Sequence, residues 1–365
     1  MIEARAPVAI LLVAGGTGGH VYPALAVAAA LGRAADETAV SVEFAVDARP
    51  ASAEAVTSAG HPVAVLPIRH GLQRHAVLAN VRVAIDLVRS FAVAYRLLRR
   101  VRPVAVVGFG AYVTVPVVVV ARALRIPVVV HEQNGRAGMA NRLAVRLGAR
   151  AAISIPGTAL ARAVLTGNPV RPEILAVERA PVRPPLVGIV GASLGAVVLN
   201  DAALDLYDRW RTRSDIAVRA VTGARYYESC ARRLESEQRA GDVLDFRFVP
   251  YEHDMAGLYR SASVMVTRGG GTVAELAAVG MPAVVVPWSG AAEDHQTANA
   301  ELFAAAGAAI HLPERECTGA RLAAELDALL ADPVRLTAMA AAARDLARPD
   351  AADAVAALAR AAAAG

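Results

Sequence analysis

Lysine is absent from this 365-residue chain: all 38 basic residues are arginine. With so much alanine beside them, the arginines read as codon bias and carry no functional inference. Cysteine occurs only as Cys230 and Cys317, too few to staple a chain of this length, which points to a reducing compartment. Aromatics make up 4%, a poor supply of stacking platforms for bases, and a net charge of +5 does not demand nucleic acid. That charge fits an anionic ligand or an acidic membrane surface. No long apolar run is present either. The longest, Val113–Val130, is broken by Pro116, Arg122, Arg125 and Pro127, so no transmembrane helix is expected. The N-terminus enters a strand without the basic region, apolar core and cleavage site of a signal peptide. These absences lead to the expectation of a cytoplasmic protein whose membrane contact, if any, is peripheral. Hydrophobic residues at 56% against 19% charged provide packed cores and leave little room for disorder.

What is present is alternation. Strand-like runs at Val8–Val13, Val40–Val46, Val63–Pro67, Val104–Gly108, Pro127–Val130 and Ala152–Ile155 are separated by alanine-rich helical patterns. That order predicts a parallel sheet covered on both faces. The pattern lapses in a Pro-rich stretch and restarts at Leu186–Val190. The expected organisation is a Rossmann-like domain at 1–165, a linker region at 166–185 and a second Rossmann-like domain at 186–345. A C-terminal helix at 346–365 follows, packing back on the first domain. The fold class is α/β, two doubly wound domains facing a cleft in which a ligand is expected.

Val13-Ala-Gly-Gly-Thr-Gly-Gly-His20 carries the most information. A strand feeds a glycine cluster, a histidine closes it, and a helical pattern runs from Val21 to about Ala35. Glycines let the backbone approach a phosphate, and a helix start favours negative charge. A histidine there can move a proton near neutral pH. The dinucleotide fingerprint fails, because Val21 stands where its third glycine belongs, and Asp47 is only the nearest acid to the end of the second strand. No pair of histidines has the spacing of a metal site. Val187-Gly-Ile-Val-Gly-Ala-Ser-Leu-Gly195 repeats the strand, glycine turn, helix order in the second half.

Other motifs leave two readings open. His131-Glu-Gln-Asn134 at a strand end is a site or a polar loop. Thr272-Val-Ala-Glu275, after the turn Arg268-Gly-Gly-Gly271, matches a capping box, while its carboxylate also suits two ribose hydroxyls. His295-Gln296 and Asn299 offer amides to a sugar or form a solvated helix face. The segment His70–Pro103 alternates arginine with apolar residues, as a core helix with a solvated face or as an amphipathic surface resting on anionic lipid.

Taken in order, Gly15-Gly-Thr-Gly-Gly-His20, Gly108-Phe-Gly-Ala-Tyr-Val113, His131-Glu-Gln-Asn-Gly-Arg-Ala-Gly-Met-Ala-Asn-Arg142, Gly167-Asn-Pro-Val-Arg171, Asp254-Met255, Thr272–Glu275 and Asp294-His-Gln-Thr-Ala-Asn299 resemble the MurG family. The resemblance spans essentially the whole chain. It implies a GT-B glycosyltransferase. Such an enzyme moves N-acetylglucosamine from its uridine diphosphate (UDP) sugar to the C4 hydroxyl of lipid-linked N-acetylmuramyl-pentapeptide, with inversion. It implies His20 as the base. It implies donor contacts at Thr17, Gly18, Gly19, Asn134, Arg171, Ser193, Gly271, Thr272, Glu275 and Gln296, with Glu275 on the ribose. Gly110, Tyr112, Thr114, Glu132 and Asn141 fall on the acceptor side. UDP-N-acetylglucosamine is a substrate, no cofactor or obligatory metal is implied, and the enzyme sits peripherally on the inner face of the membrane. The resemblance also favours the segment Leu72–Arg89 as the part that touches the cytoplasmic leaflet.

The chain departs from the family pattern at particular places. Ala111 and Val115 stand at glycine positions, Ala192 replaces a glycine in the second glycine loop, the loop Arg268–Gly271 is one residue short, and Glu252 replaces an apolar residue. The departures in the 110–116 turn motivate an alternative, a paralogue with the same donor and another acceptor. From other classes come a catalytically silent membrane-associated cell-wall partner and a nucleotide-dependent oxidoreductase.

Overall fold

Two stretches of strands build two separate parallel sheets, and the chain divides accordingly. Met1–Arg171 with Arg348–Gly365 form one unit, and Pro172–Ala347 form the other. The structure is a computed structural model that describes residues 8–16, 18–33, 40–68, 77–191, 195–291 and 294–364, with the backbone alone for 77–83.

The first unit holds β1 (Val8–Ala14), β2 (Val40–Asp47), β3 (Val63–Leu66), β4 (Ala105–Gly108), β5 (Val128–Glu132), β6 (Arg150–Ile153) and β7 (Ala163–Leu165). Their order in the sheet is β3-β2-β1-β4-β5-β6-β7, every pairing parallel. β4 is buried throughout and β1 over its last five residues, as a sheet covered on both faces requires. One face is filled by Ile10, Leu12, Phe44, Val107 and Val129, the other by Leu11, Val13, Ala45, Val106 and Val130. Alternate residues of a strand point to opposite faces, and these two sets interleave accordingly.

The last helix, Ala351–Ala364, buries Ala352, Val355, Ala356, Ala359 and Ala362 in the first of those cores. The spacing is a helical stripe. It lies along the helix Gly18–Arg33, where small side chains on both helices allow a close approach, and Arg360 donates to the Leu31 carbonyl at 2.9 Å. Fully burying Val355 alone contributes about 1.5–3 kcal/mol.

The second unit holds β8 (Leu186–Val190), β9 (Ala217–Val221), β10 (Asp245–Val249), β11 (Ala262–Thr267), β12 (Ala283–Val285) and β13 (Ala309–His311), ordered β10-β9-β8-β11-β12-β13 and again parallel. The stretch 166–185, expected as a linker, is divided at Arg171, and its second part is bound down. Pro172–Leu175 is helical, Ala180 N–H donates to Arg260 O at 2.9 Å, and Arg179 donates to the carbonyls of Gly280, Ala262 and Ser263 at 2.8, 3.1 and 3.2 Å. Proline here marks irregular backbone held by side-chain bonds, not free chain. The strand β7 inside the first unit has no counterpart in the sequence-based reading; at three residues it is too short for a periodic signal.

Candidate active site

In each sheet the strand order reverses once, between β1 and β4 in the first and between β8 and β11 in the second. Chains leaving the carboxyl ends of such a pair diverge, and the crevice they leave is where these sheets hold ligands. All four chains leaving those ends run into glycine: Gly15 and Gly16 after β1, Gly108 and Gly110 with β4, Gly191 after β8, Gly269–Gly271 after β11.

At the first reversal, Gly16 has φ +98° and Gly110 φ +87°, conformations that favour glycine. The imidazole of His20, in the first turn of the helix Gly18–Arg33, lies between them. A Cβ on Gly16 would stand 3.5 Å from Nδ1, and one on Gly110 3.4 Å from Nε2. Gly16 N–H donates to Asp47 Oδ2 at 2.7 Å, and Thr114 Oγ1 donates to the Gly110 carbonyl. Thr114 is fully buried, so its hydroxyl serves the turn. Tyr112 is half-buried beside it. Ala111 sits at φ 61°, so the departure from glycine there is a real left-handed alanine. Val115 lies in the first turn of the helix Thr114–Ala123, whose backbone any residue can adopt.

Tyr22 follows His20 by two residues, and the Arg171 guanidinium lies over its ring, 4.4 Å from Cζ to the centroid. A Cβ on Gly18 would meet the same ring at 2.8 Å. The guanidinium thus stands beside the helix start that carries Gly18 and Gly19, a concentration of donors for an anion. Thr17 lies outside the described residues.

Glu132 ends β5 with 3% exposure. Its Oε1 accepts from the Asn134 N–H and Nδ2 at 3.1 and 3.2 Å, and its Oε2 from Gly138 N–H and Asn141 Nδ2, each at 2.8 Å. Glu132 and Asn141 are therefore turned inward, and what they present is the loop carrying Asn134. His131 is buried too, its Nε2 3.0 Å from the Gly167 carbonyl, and burial lowers its pKa to about 4 against the opposing pull of that bond. It is a neutral structural tie between β5 and the Gly167–Arg171 turn.

At the second reversal the helix Thr272–Val279 begins after Gly271, which is the N-cap and has no side-chain cap bond. The capping-box reading of Thr272–Glu275 is thereby corrected: Thr272 is already helical, and Glu275 Oε2 accepts the Tyr259 hydroxyl at 2.8 Å. Gly280 closes this helix at φ 62° as its sequence position implied. Gly269 packs against the next helix, His295–Ala305, where a Cβ would fall 2.3 Å from the Gln296 carbonyl. Gln296 Oε1 accepts from Trp288 N–H at 3.0 Å. Asn299 is not a surface amide: it is 1% exposed and donates to the Gly269 carbonyl at 2.8 Å. Ser193 and Ala192 lie outside the described residues.

Arg268, buried at the end of β11, pairs with Glu314 at 2.7 Å and donates to the Val286 carbonyl. Burial pushes the Glu314 carboxyl up, but bonds from Ser289 and Arg268 outweigh it and hold it below its ordinary value. The pair ties the glycine turn to the short helical turn after β13, and the Val286 bond ties it to the end of β12. Glu252 Oε2 meets Arg219 at 3.2 Å and its Oε1 accepts from Asp254 N–H, while Asp254 caps the helix Met255–Ser261 through Gly257 N–H. A charged residue is tolerated at position 252 because β9 supplies its partner. Burial pushes the Cys317 thiol up to about 11 and raises Cys230 as well, so neither offers a thiolate at neutral pH. Among the described residues no three His, Cys, Asp or Glu side chains are grouped as a metal would need.

Asp47, Tyr22, Tyr259 and the Arg268–Glu314 pair were not singled out as site residues from the sequence. Only Asp47 left a signal, as the acid nearest the end of the second strand, and the structure places it as the last residue of β2. The others need the sheet to bring them together.

Of the segment Leu72–Arg89, residues 72–76 lie outside the described residues. On the described part of the helix Val77–Val101, Ile85, Val88 and Tyr95 are exposed, Val88 by 70%, beside exposed Arg89, Arg96 and Arg99. No described helix is long and apolar enough to cross a membrane.

Residues 10–153 match the glycosyltransferase family 28 N-terminal domain, and residues 186–355 its C-terminal domain. The UDP-N-acetylglucosamine–N-acetylmuramyl-(pentapeptide) pyrophosphoryl-undecaprenol N-acetylglucosamine transferase of Alkalilimnicola ehrlichii is 41% identical over 355 residues, 95% of this chain and 97% of that one. The protein of the same name from Pseudomonas entomophila is 40% identical over 93% of this chain and 94% of its own. The crystal structure of Acinetobacter baumannii MurG superposes with a TM-score of 0.74 at 29% identity, covering 97% of this chain and 99% of that one. Two doubly wound sheets, each with glycine turns at its reversal, together with these matches define a GT-B glycosyltransferase that uses UDP-N-acetylglucosamine. The chain belongs to the MurG family, within glycosyltransferase family 28.

Proposed function

We propose that this protein transfers N-acetylglucosamine from UDP-N-acetylglucosamine to the C4 hydroxyl of lipid-linked N-acetylmuramyl-pentapeptide, with inversion; the relatives' names support the donor, the transferred sugar and the acceptor. The observation that carries this reading is the His20 imidazole held between Gly16 and Gly110 at the reversal of the first sheet. In the proposed reaction His20 takes the proton of the attacking hydroxyl. The new bond forms at the anomeric carbon from the face opposite the diphosphate, and the bond to the diphosphate oxygen breaks. UDP leaves with the charge. Arg171 and the helix-start amides at Gly18–Gly19 and Gly271–Thr272, with Thr17 and Ser193 as further donor contacts, balance that charge.

Glu275 accepts the ribose hydroxyls, a role supported by its first-turn position and the bond from Tyr259, which fixes one carboxylate oxygen. Gln296 and Asn134 take sugar hydroxyls. Gly110 and Tyr112 face the acceptor, with Thr114, Glu132 and Asn141 shaping the turns behind them. No cofactor is assigned, and UDP-N-acetylglucosamine enters as substrate. The exposed apolar residues Ile85, Val88 and Tyr95 with their flanking arginines support peripheral attachment to an anionic leaflet on the cytoplasmic side, through the segment that includes Leu72–Arg89.

The test is transfer by purified protein, with UDP-N-acetylglucosamine against other UDP sugars and with lipid-linked muramyl-pentapeptide against other acceptors. His20→Ala is expected to abolish most turnover; unchanged turnover removes the base assignment. Transfer only to another acceptor would favour the paralogue reading, which the left-handed Ala111 supports.

A further inference from the structure

We propose that Asp47 is a positioning residue for His20, acting through Gly16; the inference rests on the assignment of His20 as the base. Asp47 closes β2, next to β1 in the sheet, and is 2% exposed. In a dinucleotide-binding fold an acid at this strand end would reach a ribose. Here it is turned onto the glycine turn instead. Its Oδ2 accepts the Gly16 N–H at 2.7 Å and also meets Arg49, whose Nε and Nη2 both stand at 2.7 Å. Charge-assisted bonds of this kind are short and directional, so the Gly16 peptide is held at one tilt.

The turn runs directly over the carboxylate: a Cβ on Gly15 would lie 2.9 Å from Asp47 Cγ. At the next residue, the space a Gly16 side chain would fill is bounded by His20 Nδ1 at 3.5 Å, Arg49 Nη2 at 3.2 Å and the Ala111 Cβ at 3.5 Å. The carboxylate therefore holds the N–H of the residue whose Cα lies against the imidazole. Arg49 balances the buried charge, which a lone carboxylate in that place could not carry.

A carboxylate that merely closed a turn would be expected to satisfy both oxygens. Asp47 Oδ1 is buried and has no hydrogen-bond partner among the described residues, a cost to folding accepted at this spot. Both partners of the other oxygen are groups that touch the imidazole's surroundings. A proton is transferred only over a hydrogen-bond distance, so a small displacement of the base is costly in rate while leaving substrate binding alone.

The experiment is a double-mutant cycle read by steady-state transfer with UDP-N-acetylglucosamine and lipid-linked muramyl-pentapeptide. Asp47→Ala is expected to lower kcat about ten- to a hundredfold, with both KM values within about twofold of wild type. On a His20→Ala background the same substitution is expected to change the residual turnover by less than about twofold, because the group it positions is gone. Asp47→Asn, which keeps the volume and an oxygen for Gly16, is carried through the same cycle. It is expected to recover part of kcat, so the cycle stands even if the alanine variant does not fold. Equal losses from Asp47 substitution with and without His20, or a rise in KM with kcat intact, overturn the proposal. Wild-type turnover in His20→Ala alone overturns the base assignment on which it rests, and the two failures are told apart by that single variant.

Discussion

Tyr259 donates its hydroxyl to Glu275 Oε2 at 2.8 Å, so one oxygen of the carboxylate is fixed before any ligand arrives. The two residues come from different helices, Met255–Ser261 and Thr272–Val279, which flank β11. A carboxylate aimed in this way loses less freedom on meeting a ribose than a free one does.

Glu275→Ala is accordingly expected to weaken UDP binding by about 1.5–3 kcal/mol, the value of hydrogen bonds to a charged group. Tyr259→Phe is expected to weaken it by less, about tenfold at most. Calorimetric titration with UDP measures both. Unchanged affinity in Glu275→Ala would return that residue to a purely structural role.

Ala111 at φ 61° carries strain that glycine does not. Ala111→Gly is expected to raise stability by about 0.5–1 kcal/mol, measured as a shift in the urea midpoint at constant slope. A loss of stability would mean that the Ala111 methyl, next to Gly16, packs well enough to outweigh the backbone.

His131 titrates near 6.5 when unfolded and at about 4 in the folded protein, where burial lowers it. Between those values the unfolded chain binds the proton and the folded one does not. The contribution is therefore fully present above about pH 6.5 and is lost as pH falls towards about 4, by about 3 kcal/mol at most. Urea unfolding at about pH 7.5 and about pH 5 should show this decline in the wild type and a flatter dependence in His131→Gln, which can still donate to the Gly167 carbonyl. Equal slopes in both proteins would place the acid sensitivity elsewhere.

Val88, 70% exposed among arginines, is the most direct probe of membrane attachment. Val88→Glu is expected to reduce pelleting with anionic phospholipid vesicles severalfold, and added salt to reduce it in the wild type. Transfer to a water-soluble acceptor should be unaffected. Undiminished pelleting would remove this helix from the contact.

Periodicity and punctuation carry far in this chain. Apolar runs cut by glycine are strands feeding turns, because a doubly wound sheet needs both in that order. β1, β2 and β4 accordingly lie within a residue of the runs read for them. Gly280 announces a helix end because glycine alone adopts its φ without strain. Such signals are local, and local chemistry suffices to produce them. Short β7 and the bound-down 176–185 stretch escape that reading, since neighbours hold them and no repeat of their own does.

The partners of charged and polar side chains are another matter. Asp47, 31 residues from Gly16, meets its N–H only once β2 is laid beside β1, and Arg268 finds Glu314 only after β11, β12 and β13 are assembled. Thr272–Glu275 spells a cap that folding does not use, and Asn299 spells a surface amide that folding buries. A hydrogen bond is decided by a few tenths of an ångström between groups brought together by the whole sheet. Residue order therefore named the glycines and the histidine, while three-dimensional packing chose which groups hold them.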